Sequence, residues 1–185
     1  MTSTTDRKIT ISEFVDLDFD EGYIYELING EIMRRTSPNR DHQDVSMAIS
    51  TFMNTFILTN KLGKLYAAPL DVYLTEFDLV VPDLVFISKD NPAIQKNNRC
   101  IEGTPDLIIE ILSKGTQKLD RGKKMTQYRL NKVKEYWIID PRNQTVEVYE
   151  LQNGIFEMIS YAEESGEIES NVLEGFKLAV ENIFA

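Results

Sequence analysis

Residues 79–88 read LVVPDLVFIS, and residues 104–113 read TPDLIIEILS. Both runs are too apolar to have one side facing water, which is typical of strands in the interior of a sheet. Each run nevertheless carries a carboxylate among apolar neighbours, Asp83 in the first and Glu110 in the second. Burying an ionised carboxylate without a partner costs several kcal/mol, so both residues require an explanation.

The two runs predict an antiparallel pair of strands in which Asp83 lies across from Glu110. Neighbouring strands are about 5 Å apart, so the two carboxylates would repel each other unless a hard divalent cation shared them. Oxygen ligands of this kind suit Mg²⁺ or Mn²⁺. The simpler interpretation is a pair of edge carboxylates neutralised by a nearby Arg or Lys.

Asp106 competes with Asp83 because it also follows a proline. It precedes Glu110 by four residues, which is roughly 13 Å along a strand. Asp106 would therefore lie at the far end of the strand pair from the partner of Glu110, and we interpret it as a strand-entry residue.

The remainder of the chain predicts a mixed α/β domain over residues 11–185, preceded by a mobile tail over residues 1–10. A β-hairpin is predicted at Asn29-Gly30, the strongest short-range hairpin signal. The other predicted elements are a helix over 44–60, strands over 65–74 and 79–88, a polar loop over 89–104, a strand over 104–113, a helix over 120–131, a strand over 135–140 and a hairpin of 145–151 and 154–161. The last apolar stretch, 176–184, is expected to pack back on the core.

Composition limits the class of protein. The 185 residues are 42% hydrophobic and 27% charged, as in an ordinary globular domain. No apolar run approaches the roughly 20 residues of a membrane span, and the N-terminus lacks the apolar stretch of a secretory signal. Cys100 is the only cysteine and His42 the only histidine, which excludes a Cys/His zinc cluster. We expect a cytoplasmic protein without membrane partners.

The charge is unevenly distributed. The net charge of −10 argues against nonspecific binding of nucleic acid, which needs clustered Lys and Arg. Residues 113–134, however, hold eight Lys or Arg against one acid, Asp120. Such a run is as often a solvated helix face, but its place directly after the strand of Glu110 predicts a basic surface beside the carboxylates.

Six strings follow one another in the chain: YELINGE (25–31), His42-Gln43, VPDLVFI (81–87), TPDLIIEILS (104–113), the spacing of Asp120, Lys124 and Tyr128, and EYWIIDP (135–141). In these strings the chain resembles the Uma-two family of restriction endonucleases, within the PD-(D/E)XK nuclease superfamily. They cover most of residues 23–151. The resemblance implies a restriction-endonuclease-like α/β fold: a mixed central sheet with flanking helices (an αβββαβ core) and N-terminal and C-terminal hairpins. It also implies Mg²⁺- or Mn²⁺-dependent hydrolysis of phosphodiester bonds in nucleic acid, above all DNA, by a possible homodimer.

By position, the resemblance implies that Asp83 and Glu110 are catalytic acids that hold the metal. The superfamily places a lysine two residues after the second acid, where this chain has Leu112. The family supplies a lysine from the following helix, which corresponds to Lys124. The superfamily often adds an N-terminal glutamate, for which we favour Glu31 over Glu26.

Four further residues are predicted to bind substrate: His42, Arg121, Lys123 and Tyr128. A lone histidine at a helix start is more often a cap or a phosphate contact than a base. Tyr128 lies one turn past Lys124 and would orient it, or it packs in the core. The rival hypothesis is a nuclease-fold binding or regulatory module without catalysis, which the acidic chain and the missing strand lysine favour. A structural or partner-binding protein is a weaker rival.

Overall fold

The computed structural model describes residues 7–91 and 98–184, which fold around two large β-sheets. The strands are β1 (Tyr23–Ile28), β2 (Glu31–Thr36), β3 (Gly63–Ala67), β4 (Asp71–Thr75), β5 (Asp78–Val80), β6 (Leu84–Ser88), β7 (Cys100–Glu102), β8 (Leu107–Ile111), β9 (Glu135–Asp140), β10 (Thr145–Gln152), β11 (Ile155–Glu163), β12 (Glu167–Glu169) and β13 (Lys177–Ala179). The helices are α1 (Ile11–Val15), α2 (Arg40–Asn60), α3 (Gln117–Leu119) and α4 (Met125–Leu130), with a π-helical turn at Asp120–Lys124 and a 3₁₀ turn at Val180–Asn182.

The central sheet has the strand order β11-β10-β9-β8-β6-β3. Strands β8 and β9 run parallel and the other neighbours run antiparallel, so the predicted mixed sheet is confirmed. Helix α2 packs on one face because its apolar residues recur at helical spacing. Its buried stripe consists of Val45, Ile49, Met53 and Ile57. The C-terminal segment covers the same face, as predicted, through Phe176, Leu178, Val180 and Ile183.

The opposite face of the central sheet packs against the second sheet, of order β2-β1-β5-β4-β7, and against α4. Alternate residues of a strand point to the same face. Ile108 and Leu112 lie in the apolar layer on this side, so Glu110 between them points into it as well. The second acid is therefore directed to the junction of the two sheets.

Strands β6 and β8 are antiparallel, as predicted, with Leu84 opposite Ile109. Extending this register by one residue places Asp83 opposite Glu110. The single strand predicted over 79–88 is wrong, because β5 and β6 belong to different sheets and residues 81–83 cross between them. Pro82 has no N–H to donate to a ladder, which explains the break.

The strand predicted over 65–74 divides for the same reason. Its first part is β3 of the central sheet and its second part is β4 of the other sheet, with Pro69 between them. The polar loop predicted over 89–104 contains β7, and its residues 92–97 lie outside the described part of the chain.

Both predicted hairpins are confirmed. Asn29 and Gly30 have φ angles of 53° and 77°, the left-handed values that a two-residue hairpin turn requires. Helix α2 begins earlier than predicted because the side chain of Asn39 caps it, accepting the backbone N–H of His42 at 3.0 Å. The helix predicted over 120–131 begins instead at α3 and contains the π-helical turn.

The predicted N-terminal tail lies partly outside the described part of the chain, in residues 1–6. The rest of it makes specific contacts: the N–H of Ile9 donates to the carbonyl of Gly30 at 3.0 Å, and Thr10 forms a capping box with Glu13 at the start of α1. Among the described residues no helix has the length and apolarity needed to cross a membrane.

Candidate active site

A pocket of about 210 Å³ opens where the two sheets meet. Its wall includes Asp83, Glu110, Asp120, Lys124, His42 and Arg35, together with the residues that precede α2 and α3. With Lys114, seven ionisable side chains thus line a small volume at the end of β8. The predicted pair Asp83 and Glu110 lines one pocket, as does the predicted lysine Lys124.

Asp83 is buried and anchored through one oxygen. Its Oδ2 accepts the N–H of Ile111 at 2.7 Å and lies 3.1 Å from Nε2 of His42. Burial alone would raise the pKa of this carboxyl, but the contacts with His42, Arg35 and Ile111 lower it below its usual value. Asp83 is therefore held as an anion.

Glu110 is buried and held through Oε1, which accepts hydrogen bonds from Lys124 Nζ at 2.9 Å and from the Tyr128 hydroxyl at 2.5 Å. The pKa of Glu110 is raised to about 8. Burial is the main cause, and the negative charges of Asp120, Asp83 and Glu26 raise the pKa further. The positive charge of Lys124 lowers it only in part. Glu110 therefore keeps its proton to a higher pH than an ordinary glutamate does.

Lys124 lies at the centre of the acids with a side chain only 1% exposed. Its Nζ is 2.8 Å from Glu26 Oε1, 2.9 Å from Glu110 Oε1 and 3.7 Å from Asp120 Oδ1. Burial lowers the pKa of Lys124, but these carboxylates outweigh burial and raise it overall. The lysine therefore keeps its charge.

The π-helical turn explains how Lys124 reaches the acids. The N–H of Met125 donates to the carbonyl of Asp120, five residues earlier, which widens the turn. Asp120, Lys124 and Tyr128 then share one buried side of the segment, at intervals of four residues. A wide helical turn of this kind is frequent at functional sites.

Of the two candidate glutamates, the structure places Glu26 among the buried acids around Lys124, and it places Glu31, the residue favoured from the sequence, at the surface. Glu26 is 1% exposed, and its Oε1 accepts the N–H of Val81 at 2.8 Å besides contacting Lys124. Glu31 lies at the turn end of the hairpin with its side chain 57% exposed, where it pairs with Lys123 at 2.5 Å. The hairpin register, with Glu26 opposite Met33 and Glu31 opposite Ile28, separates the two glutamates along the strands.

The structure places the four predicted substrate-binding residues in three different parts of the molecule. Tyr128 is fully buried, donates a hydrogen bond to Glu110 and does not line the pocket. Arg121 and Lys123 line a separate groove beyond the π-helical turn, and both form ion pairs, Arg121 with Glu147 at 2.6 Å. Only His42 of the four lines the pocket of the acids.

The basic segment 113–134 is likewise divided. Lys114 and Lys124 line the pocket of the acids, whereas Lys132 and Lys134 lie at the far end of the strands beside Asp106. Asp106 accepts the N–H of Ser88 at 2.8 Å and the ammonium of Lys134 at 2.6 Å. Asp106 is thus a strand-entry residue, as interpreted from the sequence. The prediction that the basic segment lies beside the carboxylates holds for Lys114 and Lys124 and is wrong for Lys132 and Lys134.

Arg35 and Asp120 are site residues that were not predicted. Arg35 Nε lies 3.5 Å from Glu26 Oε2, and its Nη1 lies 3.9 Å from Asp83 Oδ1. The hairpin register could have identified Arg35. Ile24 pairs with Arg35 and Glu26 pairs with Met33. Arg35 therefore lies diagonally across from Glu26 on the same face of the hairpin. Asp120 carried no signal apart from its spacing to Lys124.

The donor atoms suit a hard cation, although no three His, Cys, Asp or Glu side chains of the described residues are grouped as a ready-made metal cluster. Three buried carboxylate oxygens have no hydrogen-bond partner in the described part of the chain: Glu26 Oε2, Asp83 Oδ1 and Asp120 Oδ1. Unpaired buried oxygens of this kind are costly without a counter-ion. The residue types therefore fit Mg²⁺ or Mn²⁺.

A mixed central sheet with helices on it, and with acids and a buried lysine at the end of paired strands, defines a restriction-endonuclease-like fold. The chain belongs to the Uma2 (Uma-two) family, described as "Putative restriction endonuclease", whose family model matches residues 11–181. A crystal structure of a putative nuclease belonging to DUF820 from Anabaena variabilis has the same fold, with a TM-score of 0.76 and 22% identity over 95% of this chain and 97% of that chain. No curated protein sequence matches the chain.

Proposed function

We propose that this protein is a divalent-metal-dependent nuclease that hydrolyses phosphodiester bonds in nucleic acid, with DNA as its substrate. The observation that carries the proposal is the pocket lined by Asp83, Glu110, Asp120 and Lys124, in which the buried ammonium of Lys124 contacts Glu110, Asp120 and also Glu26. Burying such a set of charges costs stability, which a structural role alone does not explain. Phosphodiester hydrolysis needs both carboxylate ligands and a fixed positive charge.

In this proposal Asp83 and Glu110 hold the metal, with Glu26 as the third acid. A divalent cation held there would supply positive charge for the phosphoryl oxygens and would make a water molecule more acidic. The backbone N–H of Ile111 and the ring of His42 fix the orientation of Asp83, leaving its Oδ1 free. Tyr128 and Lys124 fix Glu110 in the same way.

Lys124 supplies the fixed charge next to the reacting phosphate. Its side chain is confined by carboxylates of both sheets, so little conformational entropy remains to be lost when substrate binds. Lys114 and the residues 36–39 form the rim of the pocket, where a phosphate would enter. Lys114 is exposed, and we assign it to phosphate contact.

A nuclease-fold binding module is the second candidate, and the network around Lys124 favours it. Leu112 occupies the usual position of the strand lysine, and Lys124 is already bonded to two carboxylates. This candidate predicts binding to nucleic acid without cleavage in the presence of any divalent metal.

The test is a cleavage assay with supercoiled plasmid, linear duplex, single-stranded DNA and RNA, each in Mg²⁺, Mn²⁺ or EDTA. We expect cleavage of DNA in Mg²⁺ or Mn²⁺, none in EDTA, and none by Asp83→Asn purified in parallel. Cleavage that Asp83→Asn retains identifies a contaminating nuclease. If the parent binds Mn²⁺ and DNA but cuts none of the four substrates, the binding module becomes the better account.

A further inference from the structure

Arg35 contacts the acids without forming hydrogen bonds to them. Its Nε stands 3.5 Å from Glu26 Oε2 and its Nη1 stands 3.9 Å from Asp83 Oδ1. Arg35 Nε, Glu26 Oε2 and Asp83 Oδ1 all lack a hydrogen-bond partner in the described part of the chain. Its contacts with the two carboxylates therefore rest on charge, while Nη2 donates a hydrogen bond to the carbonyl of Val81.

The other oxygen of each carboxylate is firmly anchored. Glu26 Oε1 accepts the N–H of Val81, and Asp83 Oδ2 accepts the N–H of Ile111. Each acid therefore presents one fixed and one unpartnered oxygen, and the unpartnered oxygens both face Arg35. Hard divalent cations bind oxygen at about 2.0 to 2.6 Å, so one could not bind these oxygens while the guanidinium stands between them.

We infer that Arg35 is a resident counter-ion of this site, which a divalent cation displaces from Glu26 and Asp83 and which then binds a phosphate of the nucleic acid. The inference rests on the proposed metal site. Arg35 already lines the pocket, with its side chain 9% exposed, so the displaced guanidinium has the pocket in front of it. A guanidinium matches the geometry of phosphate oxygens and keeps its charge at every physiological pH.

The inference predicts opposite effects on two affinities. Removing the charge of Arg35 takes away a competitor of the metal, so the metal binds more tightly. The same change takes away a phosphate contact, so the nucleic acid binds more weakly once the metal is present. A residue that only supports the fold would weaken both affinities or neither.

The variant to test is Arg35→Gln, which is neutral but keeps a donor for the carbonyl of Val81, to which Arg35 Nη2 donates at 2.5 Å. Arg35→Lys keeps the charge. The matched control is Arg34→Gln. Arg34 directly precedes Arg35 in β2, its side chain is 54% exposed, and it pairs with Asp20 away from the pocket. Calorimetry with Mn²⁺ alone measures the metal affinity. Fluorescence anisotropy with a phosphorothioate DNA oligonucleotide, at saturating Mn²⁺, measures strand binding.

We expect Arg35→Gln to bind Mn²⁺ about tenfold more tightly or better, since a nearby positive charge is lost, and the oligonucleotide about tenfold more weakly. Arg35→Lys and Arg34→Gln should remain near the parent for Mn²⁺. Equal or weaker Mn²⁺ binding by Arg35→Gln, in a parent that binds Mn²⁺, overturns the counter-ion role and leaves the nuclease proposal standing. If the parent binds no Mn²⁺, both proposals fail.

A second measurement on the parent covers the case in which Arg35→Gln does not fold. The side-chain Nε–H resonance of Arg35, assigned by its absence in Arg35→Lys, should shift on titration with Mg²⁺, while that of Arg34 should not. An Arg35 resonance that stays in place at saturating Mg²⁺ overturns the inference.

Discussion

Asp83 and Asp106 both follow a proline, are almost equally buried, and lie at opposite ends of the same antiparallel strand pair. Asp83 shares the pocket at one end with Glu110 and Lys124. Asp106 at the other end pairs with Lys134 and accepts the N–H of Ser88. The two aspartates therefore form a matched pair for separating catalytic from structural roles.

Asp83→Asn should reduce cleavage by about 100-fold or more, because the amide cannot serve as an anionic ligand. Asp106→Asn should lower the melting temperature through loss of its ion pair and leave cleavage per folded molecule within a few-fold of the parent. Cleavage assays and thermal melts of both variants check this. Equal losses of activity in the two variants would attribute the effect of Asp83 to folding.

Lys124→Met should destabilise the protein by about 3 to 5 kcal/mol, because it leaves buried carboxylates without their cation. It should also abolish cleavage of DNA. Lys123→Met is the control: its ammonium pairs with Glu31 at the surface, so its loss should change stability by less than about 1 kcal/mol. Denaturant unfolding measures the stabilities. A Lys124→Met protein as stable as the parent would contradict the buried network.

Glu26→Gln should lose most of the cleavage activity, whereas Glu31→Gln should keep it. Glu26 contacts the central ammonium and the backbone of Val81, while Glu31 is exposed beyond the turn. Cleavage rates at saturating Mg²⁺ distinguish the two. Loss of activity in Glu31→Gln alone would restore the choice made from the sequence.

Glu147 gives a pH-dependent prediction away from the pocket. Burial raises the pKa of Glu147, but hydrogen bonds from Arg121 and Tyr149 outweigh it and lower the pKa below its ordinary value of 4.5. A lowered folded-state pKa stabilises the fold above the unfolded value, and this stability is lost as the pH falls through the folded value.

The Glu147→Gln variant should therefore be less stable than the parent at neutral pH, and the difference should shrink as the pH is lowered below 4.5. Thermal melts of both proteins from neutral to acidic pH measure the difference. A gap that stays constant to acidic pH would mean that Glu147 does not titrate with a lowered pKa.

The sequence predicted the parts of the fold that depend on local patterns. The turns at Asn29-Gly30 and Asn153-Gly154 follow from turn chemistry. The apolar stripe of α2 and the antiparallel pairing behind Asp83 and Glu110 follow from periodicity and apolar runs. The division of 79–88 between two sheets was missed, because apolar character reports burial and does not report which sheet buries a residue. Pro82 was the available signal.

The site was predictable where residues interrupt an apolar strand, as Asp83 and Glu110 do. The prediction of Lys124 as the catalytic lysine rested on family resemblance alone. Its contacts depend on a π-helical turn that no local sequence pattern predicted. Arg35 and Glu26 act across a hairpin, so only the full register identifies them.

The pocket is assembled from pieces that are hydrogen-bonded into different sheets. Glu26 belongs to β1 of the second sheet and Glu110 to β8 of the central sheet. Lys124, from the π-helical turn, contacts both glutamates. A ligand bound by both glutamates would consequently connect the two sheets. Amide protons of β1 and β8 should then exchange with solvent more slowly together, as one cooperative unit, when such a ligand binds.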